Sequence, residues 1–267
     1  MKDTVKVVRD FYDGSAQAEW ERLQRHPFEY ELTCRYLDRY IKSGDKVLDV
    51  GGGPGRYALY LAEKGCEETL FDLSAGNIEL AKQKASEHGV SIKTFVGDAR
   101  EVDAIVDGEF DHVLLMGPLY HLLEEADRVQ TVEACLSLLK QNGTIFVSFI
   151  SSYAGIIYAM KYEPPLLLES EMAIPVQLFI DDLPFAGDGF TKAYFIRHKD
   201  VLPFMSQFSL QTLHYLGQES ILAPCEENIK AQSRAVIDKW LDVAEKVCER
   251  EDLLSHSEHL MYIGRKL

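Results

Sequence analysis

Cysteine is scarce in this chain of 267 residues: Cys34, Cys66, Cys135, Cys225 and Cys248 are scattered without a CxxC pair. That argues against a disulfide framework and a thiolate metal site, so no metal is expected and a reducing compartment fits best. Long apolar runs are missing as well. The opening MKDTVKVVRDFYDG has no unbroken apolar segment, and nowhere does a run of about 18 apolar residues occur. Neither a membrane span nor a secretory leader is expected, and the cytoplasm is the expected location. Basic charge is in deficit, with 28 Lys and Arg against 43 Asp and Glu. Binding a phosphate backbone needs clustered cations, so a nucleic-acid partner is not expected either. What remains is an ordinary globular composition, 46% apolar and 27% charged, long enough for one large α/β domain with an elaboration.

Glycine is concentrated where chemistry would need it. The stretch Lys46 to Gly65 reads KVLDVGGGPGRYALYLAEKG, a short apolar β-type run, a turn from Asp49 to Gly55 holding four glycines, and then helical spacing. Strand, glycine loop and helix in that order let backbone approach a ligand beside a helix N-terminus, which suits a nucleotide-like cofactor. A dinucleotide GxGxxG register fits poorly, because it starts late and carries Pro54 inside the loop. The loop reads instead Asp49-x-Gly51-x-Gly53-x-Gly55.

Further downstream, Leu70-Phe71-Asp72-Leu73-Ser74 ends a second strand-like run with an acid, and Gly97-Asp98-Ala99 follows an alternating run from Ile92 to Val96. Phe110 to Leu122 reads as a fourth strand running into Met116-Gly117-Pro118-Leu119-Tyr120-His121. In this order the four motifs resemble the class I S-adenosylmethionine (SAM) dependent methyltransferases, firmly over Gly44 to Ser148 and loosely beyond. The resemblance implies SAM as cofactor and S-adenosylhomocysteine as product. It also implies a doubly wound, mostly parallel seven-stranded sheet whose antiparallel last strand, here His259 to Arg265, inserts between strands five and six. In it Gly51, Gly53 and Gly55 would act through backbone, Asp72 with Leu73 at the ribose, Asp98 and Ala99 at the adenine, and Met116 or Gly117 carbonyls at the methionine amine. Asp49 would act through the loop near the amino-acid end.

Around this core, residues 1–43 read as an N-terminal helical cap, with Tyr12, Trp20, Arg25 and His26 able to touch the cofactor or simply to pack. Residues 44–267 form the SAM-binding domain. Ser74 fits an N-cap and Gly89 a stop for the helix between them. Asn142-Gly143 is expected to close a helix from Glu124 to Lys140, and one long helix is expected over Glu226 to Glu249. The aromatic stretch 151–190 breaks the alternation and reads as a lid over the substrate, with a surface decoration or dimer contact as the plainer alternative.

For the reaction itself, His121 ends the strand-four loop and is either a general base or a hydrogen bond holding that loop; Tyr120 is a weaker candidate. His112 reads as structural, and His256 with His259 beside Glu258 as a solvated turn. The expected activity is methyl transfer to an O, N or C nucleophile of a small molecule. A SAM-binding sensor without transfer activity, an NAD-dependent oxidoreductase and a protein methyltransferase are the competing readings. The C-terminal helix or the insertion offers a surface for a homodimer.

Overall fold

Apolar runs and glycine stops become strands and helix ends close to where the sequence puts them. In a computed structural model, which describes residues 2–267, two helices come first, α1 (Lys2–Arg25) and α2 (Pro27–Tyr40). Alternation follows with β1 (Lys46–Val50), α3 (Arg56–Glu63), β2 (Glu67–Asp72), α4 (Ala75–His88), β3 (Lys93–Val96), α5 (Val102–Ile105), β4 (Phe110–Leu115), α6 (Glu125–Leu138) and β5 (Leu139–Ser151). The remainder comprises α7 (Ala154–Tyr162), α8 (Ala173–Ile180), β6 (Phe185–Asp188), β7 (Lys192–Ile196), α9 (His198–Met205), β8 (Leu210–Gly217), α10 (Glu226–Lys230), α11 (Arg234–Val247) and β9 (His259–Lys266). Ser74 caps α4 by accepting the Asn77 N–H, and Gly89 closes it in the left-handed region.

The strands pair in the order β3-β2-β1-β4-β5-β9-β8, parallel except for β9, which runs antiparallel to both neighbours. Successive residues of each central strand feed opposite cores. Val113, Leu115, Ile145, Val147 and Tyr262 pack with Val132 and Cys135 of α6 and Val201 of α9, whereas Leu114, Phe146 and Ile263 pack with Tyr36 of α2 and Leu61 of α3. Period-two side-chain alternation with helices over both faces is what makes the fold doubly wound. α2 is thus a layer of the core, and α1 lies against the N-terminal end of α4, where Asp13 accepts from Ser74 Oγ and the Gly76 N–H.

Three expectations need correction. The sheet has nine strands, not seven, because β6 and β7 form a hairpin whose second strand pairs in parallel with Ile150 and Ser151 of β5. Ile150 already pairs with His259 on one edge, so β7 takes the other edge, beyond the point where β4 ends opposite Val147. Asn142-Gly143 does not close a helix. α6 stops at Leu138, and Asn142, at φ 65°, sits in an irregularity of β5, where Leu139 faces Phe110 and Thr144 faces His112. The expected helix over Glu226 to Glu249 is two helices, because Ser233 takes an extended backbone (φ −65°, ψ 152°) that starts α11 afresh. Among the described residues no helix is long and apolar enough to cross a membrane.

Candidate active site

The loops at the carboxyl ends of the parallel strands meet where the sheet order reverses, beside β1 and β4. There the glycine loop and the strand-four loop touch backbone to backbone. Gly51 lies at φ 70°, and a Cβ on Gly117 would come within 2.5 Å of the Gly51 carbonyl oxygen. Only a residue without a side chain permits that approach.

Asp72, at the end of β2, ties the loop down from the other side. Its Oδ2 accepts the Gly53 N–H at 2.9 Å, and its Oδ1 accepts the Ser74 N–H at 2.8 Å and Asn77 Nδ2 at 3.1 Å. Burial raises its pKa, against the pull of these three donors. Asp49 on the adjacent strand is buried with Oδ2 lacking any partner. Burial and the neighbouring charge of Asp72 push its carboxyl up to about 7. Asp98 caps the turn Ala99–Glu101 and forks onto Arg100, with Oδ2 to the guanidinium at 2.6 Å. Burial lifts the Asp98 carboxyl, but Arg100 outweighs it and the group stays below its ordinary range.

These groups line a cavity of about 120 Å³ together with Gly51, Gly53, Leu73, Ala99, Met116, Gly117, Tyr120 and His121. Gly55 is the exception. It stands at φ 83° as the residue capping α3, facing Leu70 and Ala81 rather than the cavity.

His121 has both ring nitrogens engaged. Nδ1 lies 3.1 Å from the Lys192 carbonyl of β7, which can only accept, so Nδ1 carries the proton and Nε2 accepts the Tyr12 hydroxyl at 2.9 Å. Burial pushes the imidazole down to about 4 and holds the Tyr12 hydroxyl far above its usual range. The Tyr120 hydroxyl donates to the Met116 carbonyl at 3.2 Å and is likewise raised by burial. Of the other cap residues, Trp20 is core, with the Arg56 guanidinium 4.7 Å from its ring, and Arg25 and His26 face a second cavity. His112 is structural as expected, held between Thr144 and Asp45.

The second cavity, about 780 Å³, shares Tyr12, Glu19, Arg22 and Tyr120 with the first. Its other walls include Tyr158, Phe185 and Phe190 of the 151–190 stretch. His259 is not in a solvated turn. It lines this cavity with Nδ1 2.6 Å from Glu219, and the Glu219 and Glu29 carboxylates overcome burial to raise it to about 9. Sequence reading missed Glu19, Arg22, Glu29, Glu219 and Glu226. The one signal was Glu29, a carboxylate that shares its helix face with Leu32, Thr33 and Tyr36.

Residues 47–143 match a family described as a methyltransferase domain. The chain is 37% identical over 127 residues to a ubiquinone biosynthesis O-methyltransferase of Haemophilus ducreyi, an alignment covering 45% of this chain and 52% of that protein. With a protein of the same name from Saccharophagus degradans it shares 30% identity over 172 residues, 57% of this chain and 72% of the relative. Against most of these relatives the chain spans about half of their length. In fold it is similar to a magnesium protoporphyrin IX methyltransferase from Synechocystis PCC 6803 solved with bound SAH, at a TM-score of 0.60 and 13% identity over 99% of this chain and 100% of the other.

Proposed function

Because the chain belongs to the class I SAM-dependent methyltransferases, we propose that it moves a methyl group from SAM to a nucleophilic atom of a small molecule. One observation carries this reading: the buried carboxylates of Asp49 and Asp72 stand behind the glycine loop, and Asp49 Oδ2 has no partner. An anionic floor suits a cofactor bearing an ammonium and a sulfonium, and opposes the diphosphate of a dinucleotide. When bound, SAM supplies a methyl carbon already activated for displacement.

The chain's own residues then bind and orient. Asp72 would receive a ribose hydroxyl on Oδ2, which accepts only the Gly53 N–H, while Asp98 and Ala99 would meet the adenine. The Gly51 and Gly53 backbone supports the methionine portion, with the Met116 and Gly117 carbonyls facing its amine. The Tyr12 hydroxyl donates its hydrogen bond to His121 Nε2 and keeps its lone pairs for the acceptor, so His121 acts with Tyr12 to hold the nucleophile in line. Alignment of this kind supplies up to roughly 7–11 kcal/mol of a barrier. The stretch 151–190 walls the acceptor cavity, whose concave, aromatic lining suits a small molecule. The names of the Haemophilus and Saccharophagus relatives favour oxygen as the accepting atom.

Calorimetric titration with S-adenosylhomocysteine, SAM and NAD in parallel tests the reading. Micromolar binding of the first two and none of the third is expected, and binding of NAD alone would overturn it.

A further inference from the structure

Two groups of ion-paired side chains lie in and directly behind the wall of the larger cavity. Arg22 bonds Glu19 at 2.8 Å and Glu29 at 2.6 Å, and His259 bonds Glu219 at 2.6 Å with Glu29 at 3.8 Å. Lys161, itself buried, joins Glu258 at 2.7 Å to Glu226 at 3.0 Å, and His26 reaches the same Glu226 oxygen at 2.9 Å. Even with His26 counted as charged, the five carboxylates outnumber the four cations. On the rim, Arg25 offsets Glu171, and Asp188 is paired with Lys192.

The surplus sits at one place. Glu226 is 1% exposed, lines the cavity, and leaves Oε1 with no partner. Glu258 beside it uses one oxygen for Lys161, and burial with the charge of Glu219 raises its pKa. Lys161 and His26 both meet Glu226 on Oε2, so it is the other oxygen that is buried without a donor, a cost that a further charged donor would offset. The same cavity is lined by aromatic rings, among them Phe11, Tyr158 and Phe190, which attract a cation and bury apolar carbon.

We propose that the larger cavity binds an organic cation, a small molecule whose protonated amine completes Glu226 and Glu258 and whose apolar part lies on the aromatic wall. As a statement about the methyl acceptor, this rests on the reaction proposed above. A protonated amine has no lone pair to attack a methyl carbon. The charged nitrogen is therefore the handle, and the nucleophile is a second atom of the same molecule, reaching the Tyr12 and Tyr120 end that the two cavities share. A divalent ion is the competing occupant, since ligand atoms of Glu29, Glu219 and His259 lie within 4.8 Å of one another. Their atoms are already taken. Both Glu29 oxygens accept from Arg22, and both Glu219 oxygens accept from His259.

The test is calorimetry of the full chain with phenethylamine, phenethyl alcohol and 3-phenylpropionate, each with and without S-adenosylhomocysteine, and with zinc or magnesium chloride alone. The amine is expected to bind about tenfold or more tightly than the alcohol, with the carboxylate weakest, and to keep most of that preference in high salt, because a buried pair is screened little. Glu226→Gln should bring amine and alcohol to within about threefold of each other. Should the variant not fold, the wild-type ratio and its persistence in salt decide alone, a preference abolished by salt counting against the buried site. Equal binding of amine and alcohol, no binding of the amine, or a metal ion that displaces it overturns the proposal. S-adenosylhomocysteine binding without amine preference removes the cation site and leaves methyl transfer standing; amine preference without S-adenosylhomocysteine binding does the reverse.

Discussion

The Tyr12 hydroxyl lies 2.9 Å from Nε2 of His121, joining the first helix to the loop after β4 across 109 residues of sequence. Neither residue is a free acid or base at neutral pH, since burial holds the tyrosine protonated and the imidazole neutral. Their use is to fix one proton and one pair of lone pairs at the cavity.

His121→Ala should lower kcat by about 100-fold, and Tyr12→Phe by about tenfold, the range expected when the reacting atoms lose their alignment. Affinity for S-adenosylhomocysteine, measured by calorimetry, should hardly move. Because the two share one hydrogen bond, the double variant should be no slower than His121→Ala. With the imidazole pushed down to about 4, kcat at saturating SAM should stay flat from neutrality to about pH 5 instead of falling near His121's ordinary 6.5. Full turnover in either variant would end this role.

Asp49 titrates with Asp72 beside it, and its carboxyl is raised to about 7 in the free chain. A cationic cofactor favours the ionised form, so below pH 7 binding must first expel a proton. Affinity for SAM should therefore fall as pH drops below 7, by up to about tenfold per unit. Asp49→Asn should flatten that dependence, and a wild-type affinity independent of pH from 5 to 8 would refute it.

Asp72→Ala removes charge-assisted contacts worth roughly 1.5–3 kcal/mol, and should weaken SAM binding about 10- to 150-fold. It also releases the Gly53 N–H, so the glycine loop should exchange its amides faster. A folded variant with normal affinity would take Asp72 out of the site.

Gly117→Ala places a carbon 2.5 Å from the Gly51 carbonyl oxygen. The loops must part, at about 1–3 kcal/mol. A lower melting temperature together with weaker S-adenosylhomocysteine binding is expected. A variant matching the wild type in both would show that the loops do not meet this closely.

His259 carries the pH dependence of stability on the alkaline side. Burial opposes its charge, and Glu29 and Glu219 more than restore it, to about 9. A raised pKa means the folded chain holds a proton that the unfolded chain gives up above about 6.5. The contribution is thus complete below that value and is lost as pH rises through 9. Melting temperature should decline across this window, and His259→Gln should remove the decline while lowering stability at pH 6.

The strands β1 to β4 were legible because each carries a short apolar run that ends at a glycine or an acid, Val50 before Gly51, Phe71 before Asp72, Val96 before Gly97 and Met116 before Gly117. Ser74, Gly65 and Gly89 marked helix ends through local chemistry that needs no tertiary context. Other features depend on partners distant in sequence. Nothing local distinguishes Glu19 and Arg22 from the exposed charges of any amphipathic helix; their place in the cavity wall follows from how α1 lies over the sheet. Gly55 fitted a motif by spacing, yet serves the packing of α3 on Leu70 and Ala81. His259 read as solvated because its partners, Glu29 and Glu219, lie far away in the chain.

The hairpin of β6 and β7 is hydrogen-bonded into the sheet at Ile150 and Ser151, and its Lys192 carbonyl holds His121. A roof laced into the same ladder as the floor does not swing freely. α1 is fastened to the rim differently, through side-chain clasps, the neutral one from Tyr12 worth about 0.5–1.5 kcal/mol and the carboxylate of Asp13 about 1.5–3. Its backbone leaves helical angles at Ser15, just beyond both clasps. Traffic into the cavities is therefore cheapest at the helix, where passage means letting go of a few side chains rather than tearing a strand from its neighbours.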